Sequence, residues 1–147
     1  MGYLRPESAI RKLLKDSAAV TATLASDQVV CTFGAASQTA LYPHIQYRRI
    51  NAEPLHHLGG VSSSGLWFGT SEFVVYADSP DAAIATADAM RGVLDGAEPV
   101  TVTIGGDSVT FERLFLANEE EDVFDPSDES DTRIFTITQE YEWSARP

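Results

Sequence analysis

Apolar residues recur at helical spacing in the opening stretch Pro6 to Lys15, where Ile10, Leu13 and Leu14 form one stripe. The stretch predicts a short helix with proline in its first turn, Glu7 near the positive end, and Lys12 and Lys15 near the negative end. A second helical piece is expected over 18–25. Val29 to Phe33 then reads as a strand, followed by the small-residue run 34–39. Ile45 to Ile50 is the next strand, entered through Pro43. Asn51 to Gly65 contains Pro54, Gly59, Gly60, three serines and Gly65, and predicts a long loop.

Leu66 to Ala77 carries the strongest strand signal. Phe73 and Val75 point to one face and Val74 and Tyr76 to the other, so both faces are apolar here. A solvated face would show a polar row, so something is expected to cover the second one. Ser79, Pro80 and Asp81 make a helix start, with Ile84, Ala87, Met90 or Arg91, and Leu94 following at helical spacing and Gly96 as the stop. Val100, Val102 and Ile104 alternate with threonines, and Gly105-Gly106 turns the chain back into Ser108 to Leu116 as a hairpin. The last strand sets Phe135, Ile137, Tyr141 and Trp143 on one face and Thr136, Thr138, Glu140 and Glu142 on the other. Together these elements predict an α+β fold: a mainly antiparallel sheet of about five strands with two or more helices packed on one face.

The length of 147 residues suits a single domain spanning 1–147. The net charge is -12, and 8 of the 22 acids fall between Glu119 and Asp131, so the acidity belongs mostly to one segment. With Pro126 interrupting it, the stretch 118–132 is expected to be a solvated acidic loop. Such a charge disfavours autonomous binding to nucleic acid, which rests on Lys and Arg neutralising phosphates. The single cysteine, Cys31, excludes an internal disulfide and fits a reducing compartment. No apolar run reaches the ~20 residues that span a bilayer, and the first residues lack the apolar segment of a signal peptide, so no membrane role is expected.

Candidate chemistry is sparse. Adjacent His56 and His57 diverge on any regular backbone, and His44 stands apart from them, so the histidines read as exposed loop residues and not metal ligands. Cys31 has no evident base beside it. Gly59-Gly60 and Gly105-Gly106 lack the strand-to-helix context of a phosphate loop. The acids at 119–125 lack the alternate ligands and central glycine of a calcium loop. Trp67, Phe68, Tyr141 and Trp143 suit core or interface. No catalytic constellation, cofactor or metal site is predicted, which shifts weight to a structural or assembly role. The rival class, a small-ligand-binding α+β domain with the aromatics lining a pocket, would need convergent titratable groups beside them.

The order of segments resembles the tail-completion family of long-tailed bacteriophages. The matching pieces are the opening helix with Leu13-Leu14, the run Pro43 to Ile50, and Phe73 to Ala77 leading into a helix that ends Val93-Leu94-Asp95-Gly96. Asp122 to Pro126, Arg133-Ile134-Phe135 and the close Tyr141-Glu142-Trp143 complete the set. The resemblance implies a non-enzymatic virion protein made in the host cytoplasm. It would form a ring, commonly a homo-hexamer, that caps the tail tube and joins it to the head connector or neck, with DNA passing through without specific binding. A head-side neck adaptor is the alternative within the same class. On this reading Val74 and Tyr76 are expected at the subunit interface. The segment with Glu119, Glu120, Glu121, Asp122, Phe124 and Asp125 is expected to dock onto a neighbouring ring.

Overall fold

The structure, a computed structural model, describes residues 5–24, 42–54, 66–97, 99–124 and 133–146. The predicted strand Val29 to Phe33, Cys31, His56, His57 and Asp125 lie outside those residues. The elements in chain order are α1 (Pro6–Asp16), α2 (Ala18–Thr21), β1 (His44–Pro54), β2 (Trp67–Ala77), α3 (Pro80–Leu94), β3 (Val100–Ile104), β4 (Asp107–Phe124) and β5 (Ile134–Arg146). The strands form one five-stranded sheet in the order β1-β2-β5-β4-β3, with each neighbouring pair antiparallel. The fold is therefore α+β, as the alternation of residues predicts.

Local chemistry explains the helices. α1 starts at Pro6, whose fixed φ suits the first turn, and buries Ala9, Ile10 and Leu14. Ser17 breaks it with an extended backbone and caps α2 by accepting from the Val20 amide at 3.4 Å. α3 opens as its sequence announces: the Ser79 hydroxyl accepts from the Ala82 amide at 3.2 Å, Pro80 follows, and Gly96 beyond its end takes φ +71°. The buried stripe of α3 is Ala83, Thr86, Ala87, Met90 and Leu94. Ile84, expected in that stripe, is 44% exposed because it lies about 100° round the helix from Ala83.

The helices cover one face of the sheet. Under them lie Ile45, Tyr47, Phe73, Val75, Ile137, Tyr141 and Trp143 with Val102, Val109, Phe111 and Leu114. Tyr47 stacks on Phe73 at 5.8 Å between centroids, and Phe73 meets the edge of Tyr141 at 5.9 Å, so aromatic contacts run across three strands.

Two predicted loops turn out to be strand. Residues 51–54 continue β1 along β2, after an irregularity between Arg49 and Asn51 that leaves Ile50 as an extra residue. Asn118 to Phe124, the first half of the predicted acidic loop, continue β4 and pair with β5 as far as Phe124 opposite Ile134. Consecutive acids on a strand alternate between faces, so the neighbours whose charges argued for a loop are turned away from one another. Thr136, Ile137 and Thr138 of β5 supply the cross-strand partners.

Candidate functional site

The face of the sheet away from the helices is built from residues of opposite parity to the core. On β2 these are Phe68, Thr70, Glu72, Val74 and Tyr76. Register sets their neighbours. Tyr76 lies beside His44 of β1 and Thr136 of β5, and Thr136 in turn faces Asp122 of β4. Val74 lies beside Gln46 and Thr138, and Thr138 faces Glu120. At about 4.8 Å between strands, Tyr76 and Val74 stand roughly 10 Å from the backbone of Asp122 and Glu120. Val74, Tyr76, Glu120 and Asp122 thus belong to one surface at one end of the sheet, although nearly fifty residues separate them in sequence.

That surface is less apolar than β2 alone suggests. Val74 and Tyr76 are half-buried, flanked by the polar rows of β1 and β5. The His44 ring stacks on Tyr76 at 5.0 Å with an interplanar angle of 11°, and His44 is 2% exposed. It is therefore a packed residue and not the exposed loop histidine expected. Burial pushes the Tyr76 phenol above its ordinary range. One row further on, Arg48 grips Glu72 with two hydrogen bonds of 3.0 and 3.2 Å. The other end of the same face has Phe68 at 43% exposure and Arg113 lying 5.1 Å over the Phe115 ring, beside a shallow cavity of about 230 Å3 that Glu142 also lines.

The acidic residues separate in role. A second irregularity between Leu116 and Asn118 leaves Ala117 unpaired and turns Glu119 to the helix side, opposite Gln139. There Glu119 accepts from Gln139 Nε2 at 2.7 Å and lies 3.7 Å from the Arg91 guanidinium. Fully buried Gln139 also donates to the Ala87 carbonyl at 3.0 Å and accepts from the Tyr141 hydroxyl at 2.6 Å. Desolvation drives the Tyr141 phenol far above its ordinary range, so it stays a donor. Glu119 thus ties β4 to β5 and α3 within the subunit. Glu120, Glu121 and Asp122 are exposed on strand β4, and Phe124 ends that strand opposite Ile134.

A further network escaped the sequence. Glu7 of α1, 5% exposed, accepts from Arg49 Nε and Nη2 at 2.7 and 2.8 Å and from the Ser71 hydroxyl at 3.1 Å. Ser71 in turn accepts from the Trp143 indole at 2.9 Å. The network joins α1 to β1, β2 and β5 through polar groups inside the core. Its signal was parity: Ser71 shares a face with Phe73 and Val75, as Gln139 does with Ile137 and Tyr141, and a polar residue in an inward row needs a partner. Among the described residues, no group of three or more His, Cys, Asp or Glu is placed to hold a metal ion, and no helix is long and apolar enough to cross a membrane.

Among the described residues, helices cover one face of the antiparallel sheet and none covers the other, mixed face. Over 97% of its length the chain is similar to 95% of a chain in the virion of a native gene transfer agent particle, with a TM-score of 0.67 at 13% sequence identity, a likeness of fold. The particular family is set by sequence: the chain belongs to the family described as Tail completion protein gp17, which matches residues 8–144. It is a structural protein of the virion tail. No curated protein matches the chain.

Proposed function

We propose that this chain acts as one domain that assembles into a ring, six-fold in the simplest case, which caps the tail tube and joins it to the connector or neck of the head. Family membership supports the tail role. The observation that carries the assembly is the sheet face that no described helix covers, where half-buried Val74 and Tyr76 share rows with exposed Glu120 and Asp122. A surface mixing partly exposed apolar groups with charge suits a contact made between preformed subunits. A ring requires this contact to be heterologous, one surface of a subunit meeting a different surface of the next.

DNA passes through such a ring without specific contacts, consistent with a net charge of -12. No catalytic step and no cofactor enter this reading. The test is the mass of the purified protein in solution, alone and with tail tubes, for the native chain and for Val74→Glu. The native chain is expected to form a ring. The variant places an unpaired carboxylate in the contact, where burial is costly, and is expected to stay monomeric. A Val74→Glu ring that forms and completes tails normally would remove Val74 and Tyr76 from the interface. Imaging of particles with the protein on the head side of the joint would favour a neck adaptor.

A further inference from the structure

Two grooves of opposite character lie at the two ends of β4. The first runs between α1 and the β3–β4 turn, has a volume of about 580 Å3, and is lined by Arg11, Lys12 and Lys15 with Ile104 at the tip of the turn. Ile104 is 39% exposed, and the only acid lining this groove, Asp16, is held by Lys12 at 2.7 Å. The second lies between the start of α3 and the β4–β5 pair, has a volume of about 350 Å3, and is floored by Ile84, Val123 and Phe135 with Glu121 and Asp122 on its rim. Ile84 is 44% and Val123 51% exposed. The first groove is net positive beside exposed Ile104, and the second is negative around exposed Ile84 and Val123. The signs are opposite.

Strand geometry keeps them apart within one subunit. Ile104 pairs with Asp107 at the first residue of β4, and Val123 pairs with Phe135 near its last. The two grooves thus sit at opposite ends of the 18-residue strand β4. They can meet between two copies arranged head to tail.

Resting on the ring reading above, we infer that the β3–β4 turn of one subunit inserts Ile104 into the Ile84, Val123 and Phe135 groove of the next, while Lys12 and Lys15 face the neighbour's Glu121 and Asp122. The occupant is a second copy of this chain, because one contact of this kind uses both grooves of every subunit and leaves neither uncovered. Asp122 lines this groove and also shares a row with Thr136 and Tyr76 on the other face of the sheet, so the end of β4 adjoins both surfaces. The apolar centre supplies the burial, and the charges around it set orientation and exclude a groove meeting its own kind.

A charge swap tests this. Lys12→Glu with Lys15→Glu makes one variant, and Glu121→Lys with Asp122→Lys makes the other; all four residues are solvent-accessible, and circular dichroism confirms that each variant folds. By sedimentation velocity, each variant alone is expected to associate at least tenfold more weakly than the native chain, because acid meets acid in one and base meets base in the other. Mixed in equal amounts, the two should recover native-sized assemblies, since alternation pairs opposite charges at every contact. The chain carrying all four substitutions should recover as well. Native association should weaken from 0.05 to 0.5 M salt. If the native chain forms a ring and both variants form it equally well, the inference falls and the ring reading stands. If the native chain forms open filaments that both variants abolish and their mixture restores, the mating of the grooves stands and the ring falls. A native chain that stays monomeric, alone and with tail tubes, removes both.

Discussion

Gln139 holds three elements together from a position with no exposure: its amide donates to α3 at Ala87 and to β4 at Glu119, and its carbonyl accepts a hydrogen bond from the Tyr141 hydroxyl of β5. Replacing it by leucine keeps the volume and orphans the buried Tyr141 hydroxyl. Gln139→Leu is therefore expected to cost about 2–4 kcal/mol, the usual range for stripping partners from buried polar groups, and to lower the thermal midpoint by roughly 5–15 °C. Glu119→Gln keeps an acceptor oxygen for Gln139 and should cost under about 1 kcal/mol. Thermal melts of the two variants check both figures. Equal, negligible losses would mean that Glu119 serves the surface after all. Charge along the sequence pointed to docking for every acid between 119 and 125, because charge density carries no parity. Parity in a strand is set by bulges, and the extra residue Ala117 decides which of these acids faces the helices.

At the level of elements, legibility followed the strength of local signals. α1 announces itself through proline and an apolar stripe, α3 through capping hydroxyl, proline, stripe and glycine stop, and β2 and β5 through alternation. What stayed hidden depends on partners distant in sequence: the extension of β4 exists because β5 lies beside it, and that of β1 because β2 does. Gly69 shows the same dependence. It lies opposite Trp143 in register, and a Cβ built there would fall on the Trp143 ring and 2.8 Å from the Asn51 carbonyl. Trp143 must lie this close for its indole to reach Ser71 and complete the network with Glu7 and Arg49. Gly69→Ala is expected to destabilise by about 2–3 kcal/mol through overpacking. Trp143→Phe frees part of the space, so the double variant should lose at least ~1 kcal/mol less than the sum of the single losses. Denaturant titration of the four proteins measures that coupling, and simple additivity would show that the ring is not what Gly69 makes room for.

For the whole molecule, the proposed ring raises the question of how it would let DNA pass without holding it. Of 10 basic residues, Lys12, Arg48, Arg49, Arg91 and Arg146 already lie in ion pairs with Asp16, Glu72, Glu7, Glu119 and Glu112. At least half of the basic residues thus lie beside an acid inside the subunit, while Glu120, Glu121 and Asp122 stand exposed on one strand. Phosphate binding draws its free energy from counterions displaced by unpaired Lys and Arg, and a field of net negative sign works against the approach. If Lys12 and Lys15 are also engaged by a neighbouring subunit, assembly removes the most basic groove described on the surface and makes the particle more repulsive than the free chain. The purified protein is therefore expected to bind duplex DNA more weakly than the ~10⁻⁴ M typical of the loosest non-specific binders at physiological salt. Any residual affinity should be greater for the free subunit than for the assembled form. A mobility-shift titration of both forms at 0.05 and 0.15 M salt decides it. Tight binding that collapses between the two salt concentrations would mean that clustered bases reach the phosphates despite the overall charge, and stronger binding by the assembly would place those bases on the path of the DNA.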